Sequence, residues 1–240
     1  MVCFMDEEKR TPRWPVVELR QYLLKPHARD TLIDLFEREF VETQEDCGIR
    51  ILGTFRDLDD PDRFVWLRAF TDMEARREAL TAFYVDGEAW RVHAPAARET
   101  MVDTDNARLL RPLGAEAEFA LPAGRPAVGA TEPSASRYTA TICHLKEDVA
   151  FGEVFGDHVR PALANLGIDP IAWFETEPAP NTFERLPVRT GERLFVWFDV
   201  HTQQSPPPAN WMRALRPELG KWVEAVETLR LAPTARSLLR

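Results

Sequence analysis

One seven-residue segment occurs twice in the chain, and it constrains the fold more than any other feature. The sequence FVWLRAF at residues 64–70 returns as FVWFDVH at residues 195–201. Each copy follows the same series of patterns: a strand-like run, a long amphipathic stretch, a glycine and a second strand-like run. A chain that duplicates a unit of roughly 100 residues is built from two small domains of similar fold.

Hydrophobic periodicity predicts the same order of elements in each half. Residues 16–23 alternate as a half-buried strand does, and residues 28–46 place apolar side chains at helical spacing before Gly48 ends the helix. In the second half, the same signals predict helices over residues 149–166 and 211–226. Each half is therefore predicted to be β-α-β-β-α-β.

This order is that of a ferredoxin-like unit, a four-stranded antiparallel sheet with helices on one face. The uncovered faces of two such sheets can bury each other. We therefore predict an α+β fold in which two tandem ferredoxin-like units pack their sheets as a dimeric-type α/β barrel. The predicted parts are an N-terminal tail (1–15), a first domain (16–112), a linker rich in Pro, Ala and Gly (113–136) and a second domain (137–236).

Composition excludes several classes of function. The net charge of −9, with arginines interspersed among acidic residues, argues against a nucleic-acid partner. No run of 18 apolar residues exists, so no membrane span is expected. Three widely separated cysteines, Cys3, Cys47 and Cys143, suit a reducing compartment and predict a cytoplasmic protein. Because one chain completes the barrel, a monomer (pseudo-dimer) is expected, or a homodimer that covers remaining edges.

A family resemblance rests on the first half. Glu18-Leu19-Arg20-Gln21-Tyr22, the helix after it, and Gly48 before a strand that ends at Phe55 resemble the NIPSNAP family of dimeric α/β barrel proteins. The resemblance covers residues 16–112 well and residues 137–231 more loosely. It implies the barrel, and it implies little about chemistry, because a fold does not determine a function.

The sequence departs from the family in two places. Many members carry a histidine in the third strand, where this chain has Trp66 and, in its second half, Trp197. The second half also lacks the Glu-x-Arg-x-Tyr pattern, and its expected counterparts are Ala140, Ile142 and His144. A site built on the family histidine is therefore in doubt.

Strand alternation groups the polar and aromatic side chains by face. We expect one group to point into the barrel lumen as a binding surface: Glu18, Arg20, Tyr22, Trp66, Arg68, Trp173 and Trp197. His144, Asp199 and His201 are expected in the same lumen as candidate catalytic groups. Imidazole titrates near neutral pH, so these three side chains form a candidate for proton transfer.

The resulting hypothesis is a protein that binds a small, partly aromatic molecule in the lumen, with cofactor-independent acid/base or oxygenase-type chemistry as an extension. The alternative is a non-catalytic binding or interaction module whose polar side chains pair with one another. A haem-binding barrel ranks third, because Trp66 and Trp197 crowd the lumen. No cofactor or metal is expected, since no nucleotide-binding motif or zinc-type histidine spacing is present.

Overall fold

The computed structural model describes residues 13–146 and 149–240, so nearly all of the predicted N-terminal tail lies outside the described residues. The first half contains β1 (Val16–Leu24), α1 (Arg29–Leu35), α2 (Val41–Asp46), β2 (Arg50–Asp57), β3 (Arg63–Phe70), α3 (Met73–Thr81), α4 (Glu88–Thr100) and β4 (Met101–Pro112). A π-helical turn, Phe36–Phe40, joins α1 to α2, and a second, Ala82–Asp86, follows α3.

The second half repeats this order. It contains β5 (Ser136–Leu145), α5 (Phe151–Val154), α6 (Arg160–Asn165), β6 (Pro170–Thr176), β7 (Leu194–Thr202), α7 (Trp211–Leu219) and β8 (Val223–Pro233), with a π-helical turn at Phe155–Val159. The predicted helix 211–226 is wrong after Leu219, because Gly220 follows the helix and β8 starts at Val223 to pair with β5. None of the helices in the described ranges has the length and apolar content needed to cross a lipid bilayer.

The eight strands close into one antiparallel barrel in the order β1-β3-β2-β8-β5-β7-β6-β4. Each half contributes four neighbouring strands, and the halves join where β2 pairs with β8 and β4 pairs with β6. Equivalent strands lie four places apart around the barrel, so β1 and β5 run in the same direction. The predicted pair of ferredoxin-like units packed as a barrel is confirmed.

The repeated segment forms β3 and β7, which occupy equivalent places in the two halves. Each copy places a tryptophan under the π-helical turn of its own half. The ring of Phe36 lies 4.9 Å from that of Trp66, and the ring of Phe155 lies 5.6 Å from that of Trp197. The repeat therefore preserves a packing unit as well as a strand.

The buried apolar side chains form three separate groups. A first layer, between the first sheet and its helices, includes Tyr22, Leu32, Phe36, Phe40, Phe64, Trp66 and Phe83. A second layer, in the same place in the second half, includes Cys143, Phe155, Trp173, Phe195, Trp197 and Trp211. The barrel interior is filled from both halves by Val17, Leu19, Val65, Leu67, Ile142, Val196, Phe198 and Leu229.

These groups correct the predicted orientation of the strands in the first half. Tyr22 and Trp66 pack in the first layer, while Val17 and Val65 fill the barrel interior. By alternation, the other side chains expected in the lumen, Glu18, Arg20 and Arg68, also face the helices. Alternation determines which residues share a face, but it does not determine which face points into the barrel when both faces are buried. The prediction that these side chains point into the lumen was wrong.

The second half needs a related correction. Trp173 and Trp197 belong to the second layer, and Asp199 and His201 share the Trp197 face of β7. On β5, His144 lies on the same face as Ile142, and Ile142 belongs to the barrel interior. The predicted counterparts of Glu18, Arg20 and Tyr22 are also shifted by one residue: strand pairing matches these three to Thr139, Thr141 and Cys143.

The barrel end at which β1 and β2 begin is covered by two segments from outside the sheet. The connection between the halves has one 3-10 turn, Ala115–Ala117, and no helix or strand over residues 118–135. Its Phe119 belongs to the barrel-interior group, as does Leu239, whose N–H donates to the carbonyl of Leu52 (3.0 Å). The connection is therefore anchored to the barrel by buried apolar contact.

Candidate functional site

Three arginines converge on one carboxylate in the first layer. Arg20 Nη1 lies 3.0 Å from Glu18 Oε2, Arg68 Nε lies 2.7 Å from the same oxygen, and Arg76 Nε lies 2.6 Å from Glu18 Oε1. All four side chains have 0 % of their surface exposed. Charged side chains are almost never fully buried unless they are paired, so this cluster is the most unusual feature of the layer.

Each member of the cluster is placed by regular structure. Glu18 and Arg20 are two residues apart on β1 and share a face, and Arg68 lies directly opposite Glu18 on β3. Arg76 comes from α3, whose first turn is capped by Asp72 accepting from the N–H of Ala75 (2.7 Å). The cluster is therefore held by two paired strands and one capped helix.

The charges in the cluster do not balance. Burial alone would raise the pKa of Glu18, but Arg68, Arg76 and Arg20 outweigh it and hold that pKa far below its ordinary value. Burial lowers the pKa of Arg76, and Glu18 only partly opposes this. Within the described part of the chain, no second carboxylate contacts the three guanidinium groups. One negative charge therefore faces three positive charges in a water-poor layer.

Several donors in this layer have no acceptor. Trp66 Nε1 and Arg76 Nη2 are buried and make no hydrogen bond. Arg68 approaches Glu18 Oε2 with both Nε and Nη2, each at 2.7 Å, and only Nε has hydrogen-bond geometry. A buried donor without a partner lowers the free energy of unfolding by about 1–3 kcal/mol, so we expect these atoms to donate to an acceptor on a ligand.

Aromatic rings surround the charged groups. The Tyr22 hydroxyl accepts from Arg20 Nε (3.2 Å), and the Tyr84 hydroxyl accepts from Arg68 Nη1 (3.1 Å). Burial raises the pKa of Tyr84, although Arg68 opposes it. The Tyr84 ring also contacts Trp90, at 4.7 Å between centroids. Tyr84 lies on the π-helical turn Ala82–Asp86, and such turns are frequent at functional sites.

A loop of the second half covers the site of the first. Residues 177–193 connect β6 to β7, and Asn181 and Thr182 of this loop accept from Arg76 Nη1 at 3.0 and 3.2 Å. Phe183 packs its ring 6.2 Å from that of Tyr84. The first layer is therefore completed across the two halves of the chain.

The sequence reasoning missed Arg76, Tyr84 and Asn181. Arg76 carried a signal, because Leu80 and Phe83 follow it at the i+4 and i+7 spacing of one buried helix face. Tyr84 and Asn181 carried none, since one lies where the helix changes to π-helical hydrogen bonding and the other in a loop.

The second layer has different chemistry at the equivalent place. Asp199 takes the position of Arg68, is 4 % exposed, and its Oδ2 has no hydrogen-bond partner. Burial raises its pKa to about 7, although Thr139 opposes this. His201 Nδ1 lies 3.9 Å from Asp199 Oδ1, and burial lowers the pKa of His201. Trp197 Nε1 and Thr141 Oγ1 are also buried without partners.

The structure does not bring His144 to Asp199. Asp199 lies opposite Thr139 on β5, whereas His144 lies five residues further along that strand and on its other face. At about 3.3 Å per residue, this is a separation of roughly 17 Å along the strand. Trp173 lies in the second layer, and the guanidinium of Arg160 is 4.6 Å from its ring centroid.

Comparison with known proteins places the first half in a family. Residues 17–115 match the NIPSNAP family model. This half is a NIPSNAP domain. A NIPSNAP family protein of unknown function from Agrobacterium tumefaciens str. C58 is 22% identical over 43% of this chain and 93% of its own, with a TM-score of 0.39. Comparison with curated proteins finds no match.

Two solved structures match nearly the whole chain. One is a proposed monooxygenase from Fusobacterium nucleatum subsp. nucleatum, 10% identical over 92% of this chain and 93% of its own, with a TM-score of 0.56. The other is described as an anthrone oxidase-like protein, 13% identical over 95% and 92%, with a TM-score of 0.53. At these identities, the similarity establishes only that the two halves of this chain together have the same barrel fold as these structures.

Proposed function

We propose that the NIPSNAP domain binds a small aromatic anion between its sheet and its helices. The observation that carries this proposal is the excess of two positive charges among Glu18, Arg20, Arg68 and Arg76 in a fully buried cluster. Two unneutralised buried charges are costly, and a bound monoanion would neutralise one of them.

The type of hydrogen bond that is missing supports an anion over a neutral or cationic ligand. The unpartnered groups at the cluster, Trp66 Nε1 and Arg76 Nη2, are both donors. Carboxylates and phenolates offer only acceptors, and charge-assisted hydrogen bonds to them are about twice as strong as neutral ones. The layer thus supplies what a carboxylate or phenolate oxygen needs.

The surroundings support an aromatic body for this anion. Tyr22, Trp66, Tyr84 and Trp90 lie around the arginines, and aromatic rings stack or meet edge to face with one another. The fold neighbours are described as a monooxygenase and as anthrone oxidase-like, and an aromatic ligand is consistent with those descriptions. Of the binding residues expected from the sequence, this proposal retains Glu18, Arg20, Tyr22, Trp66 and Arg68, on the helix side of the sheet. Trp173 and Trp197 lie in the second layer and are not part of this site.

The same cluster is better suited to binding than to taking up a proton. The guanidinium groups would favour the ionised form of a bound phenol or enol, as an oxygenase without a cofactor requires. Glu18 is a poor general base, because its pKa is held far below neutral. Non-catalytic binding is therefore the function that the first layer supports best.

A second candidate function is acid/base chemistry in the second layer. The observation that favours it is the pKa of about 7 at the buried Asp199, with His201 Nδ1 at 3.9 Å from its carboxylate. A general base works best when its pKa lies near the working pH. Asp199 and His201 are the catalytic candidates in this version, without His144.

The test of anion binding uses 1-hydroxy-2-naphthoate as the probe, measured by calorimetry at pH 7. We expect Arg76→Gln to weaken its binding at least tenfold, because a hydrogen bond to a charged group contributes about 1.5–3 kcal/mol and tenfold corresponds to 1.4 kcal/mol. The free energy of unfolding of the variant is measured alongside, because Arg76 also donates to Asn181 and Thr182 and a loss of binding must be distinguished from a loss of fold.

The controls separate this site from general adhesion. Arg77→Gln changes the next residue of α3, which is exposed and paired with Glu74, and should leave probe binding unchanged. Neutral 2-naphthalenemethanol should bind much more weakly than the anion. Equal binding of the two naphthalenes, or equal loss with Arg77→Gln, would contradict the proposal. Conversion of the bound probe by the wild type but not by Asp199→Asn would favour the catalytic version.

A further inference from the structure

The barrel carries a second group of polar side chains at the end where β1 finishes, remote from the covered end. These side chains, called the barrel mouth here, are Gln21, Asn106, Arg108 and Glu227. Gln21 shares the face of Leu19 that fills the barrel, Asn106 lies opposite Gln21 on β4, and Glu227 lies opposite Ile142 on β8. They therefore line the inside of the barrel and belong to neither helix layer.

A pocket of about 210 Å³ opens at this mouth. It is lined by Gln21, Leu23, Arg63, Asp103, Asn106 and Glu227. At about 30 Å³ for each water in the liquid, it has room for several water molecules or for a small organic molecule.

The hydrogen bonds at the mouth are incomplete. Glu227 accepts from Gln21 Nε2 (3.1 Å) and from Arg108 Nη2 (3.2 Å), and Arg108 Nε also donates to Glu192 (3.2 Å). Gln21 Oε1, Asn106 Oδ1 and Arg108 Nη1 are buried without a partner. Gln21 and Arg108 are only 3 % and 4 % exposed, so few of their atoms reach bulk solvent.

The orientation of the Gln21 amide follows from its partner. Glu227 as a carboxylate only accepts hydrogen bonds, so the Gln21 atom that faces it must be the NH₂ group. Gln21 Oε1 is then left as an acceptor at the pocket. Together with Asn106 Oδ1, it offers two acceptors that require a donor.

The charges indicate a cation. Arg63 is already paired with Asp57 and Asp60. Arg108 faces Glu192 and Glu227, and Glu192 is also paired with Arg189, so this group is balanced. Asp103 adds a further carboxylate at the pocket wall. An ammonium group supplies a positive charge and three donors, which matches two amide oxygens and a carboxylate. Arg108 Nη1 is also buried without a partner, but Arg108 does not line the pocket.

A metal ion fits these residues less well. Calcium takes six to eight oxygen ligands and magnesium six, whereas the oxygens at the pocket come from Gln21, Asn106, Glu227 and Asp103. Among the described residues, no three His, Cys, Asp or Glu side chains are grouped so that they could hold a metal ion. We therefore propose that the barrel mouth is a binding site for a small primary amine, with its ammonium on Gln21, Asn106 and Glu227.

The test is an NMR titration of the full chain with ethanolamine, following the side-chain amide signals of Gln21 and Asn106. We expect both signals to shift and to saturate in the millimolar range. Tetramethylammonium has no N–H donor and ethylene glycol has no charge, so both should leave the signals in place. Equal shifts with either compound, with Mg²⁺ or with Ca²⁺, or no shift with 50 mM ethanolamine, would overturn the proposal.

Variants tie the shifts to the site. Glu227→Gln should weaken ethanolamine binding at least tenfold, whereas Glu224→Gln, an exposed change on the same strand, should not alter it. Asn106→Leu removes an acceptor that holds no other group, so it should weaken binding at least threefold in a protein that still folds. Unchanged affinity in Asn106→Leu would overturn the assignment. Naphthoate binding should be unaffected in these variants, so the two sites are tested independently.

Discussion

Glu18→Gln is expected to lower the free energy of unfolding by about 3–5 kcal/mol at pH 7, the usual cost of removing one partner from a buried ion pair. The carboxylate is the only counter-charge in contact with Arg20, Arg68 and Arg76 within the described chain. Glutamine preserves the shape of the side chain and its ability to accept a hydrogen bond, so the loss reports charge. Chemical denaturation measures it.

The effect should depend on pH in a defined direction. The pKa of Glu18 is held below its ordinary value of 4.5 in the folded protein, so its contribution is present above that value and is lost as the pH falls below it. The difference between the wild type and Glu18→Gln should therefore shrink in acid. Glu74→Gln, an exposed change beside Arg77, is the control and should change stability little. Equal stability of Glu18→Gln and Glu74→Gln at pH 7 would contradict the proposed role of Glu18.

A double substitution separates charge from packing. If the loss in Glu18→Gln comes from unneutralised arginines, then adding Arg76→Gln should recover part of it, because one of the three positive charges is gone. Residues in one ion-pair network show such interaction energies, typically 0.5–3 kcal/mol. Simple addition of the two effects would mean that the arginines are neutralised by another route.

The fold was predictable because the chain contains two copies of one pattern. Phe64 to Phe70 and its repeat defined equivalent strands, and Gly48 and Gly167 marked the ends of equivalent helices. Both glycines have positive φ, at 91° and 73°, the conformation that ends a helix at low cost. Local signals that occur twice at matching positions constrain an architecture more than single signals do.

The face of the sheet was not predictable in the same way. Val65 and Leu67 alternate with Trp66 and Arg68, so both sets were correctly separated, but each set is buried. The polar set was expected in the lumen because Val65 and Leu67 were expected to face the helices. Arg68 instead donates to Gln44 and Tyr84 on the helical side, contacts that are made only in the folded chain.

The candidate site was predictable in part. Glu18 and Arg20 share one face of β1 and Arg68 lies on the same face of the sheet in β3, and this grouping followed from alternation along the two strands. Their imbalance of charge did not, because it depends on Arg76 arriving from α3 and on Asn181 arriving from the other half. The one-residue shift in the second half had a similar origin. Thr139, not Ala140, stands in the place of Glu18, which only strand pairing with Asp199 reveals.

Asp199→Asn is expected to stabilise the protein at pH 8 and to leave its stability nearly unchanged at pH 4. Burial raises the pKa of Asp199 from 3.8 to about 7, so between these values the unfolded chain loses a proton that the folded protein keeps. Stability is therefore lost as the pH rises, and the full loss is present above pH 7. At 1.36 kcal/mol per pH unit, the loss approaches about 4 kcal/mol, and asparagine, which does not ionise, avoids it.

Denaturation of the wild type and of Asp199→Asn at several pH values from 4 to 8 measures this difference directly. Asp105→Asn, an exposed change on β4, serves as the control for replacing a carboxylate at the surface, and its effect should be much smaller at pH 8. A stability difference between the wild type and Asp199→Asn that stays constant from pH 4 to pH 8 would contradict the raised pKa. Because Oδ2 of Asp199 is buried without a partner, a gain in stability on neutralising it would mean that the carboxylate is retained at a cost to the fold. Such a cost is typical of functional groups rather than structural ones, and it would make the second layer the place to look for proton transfer.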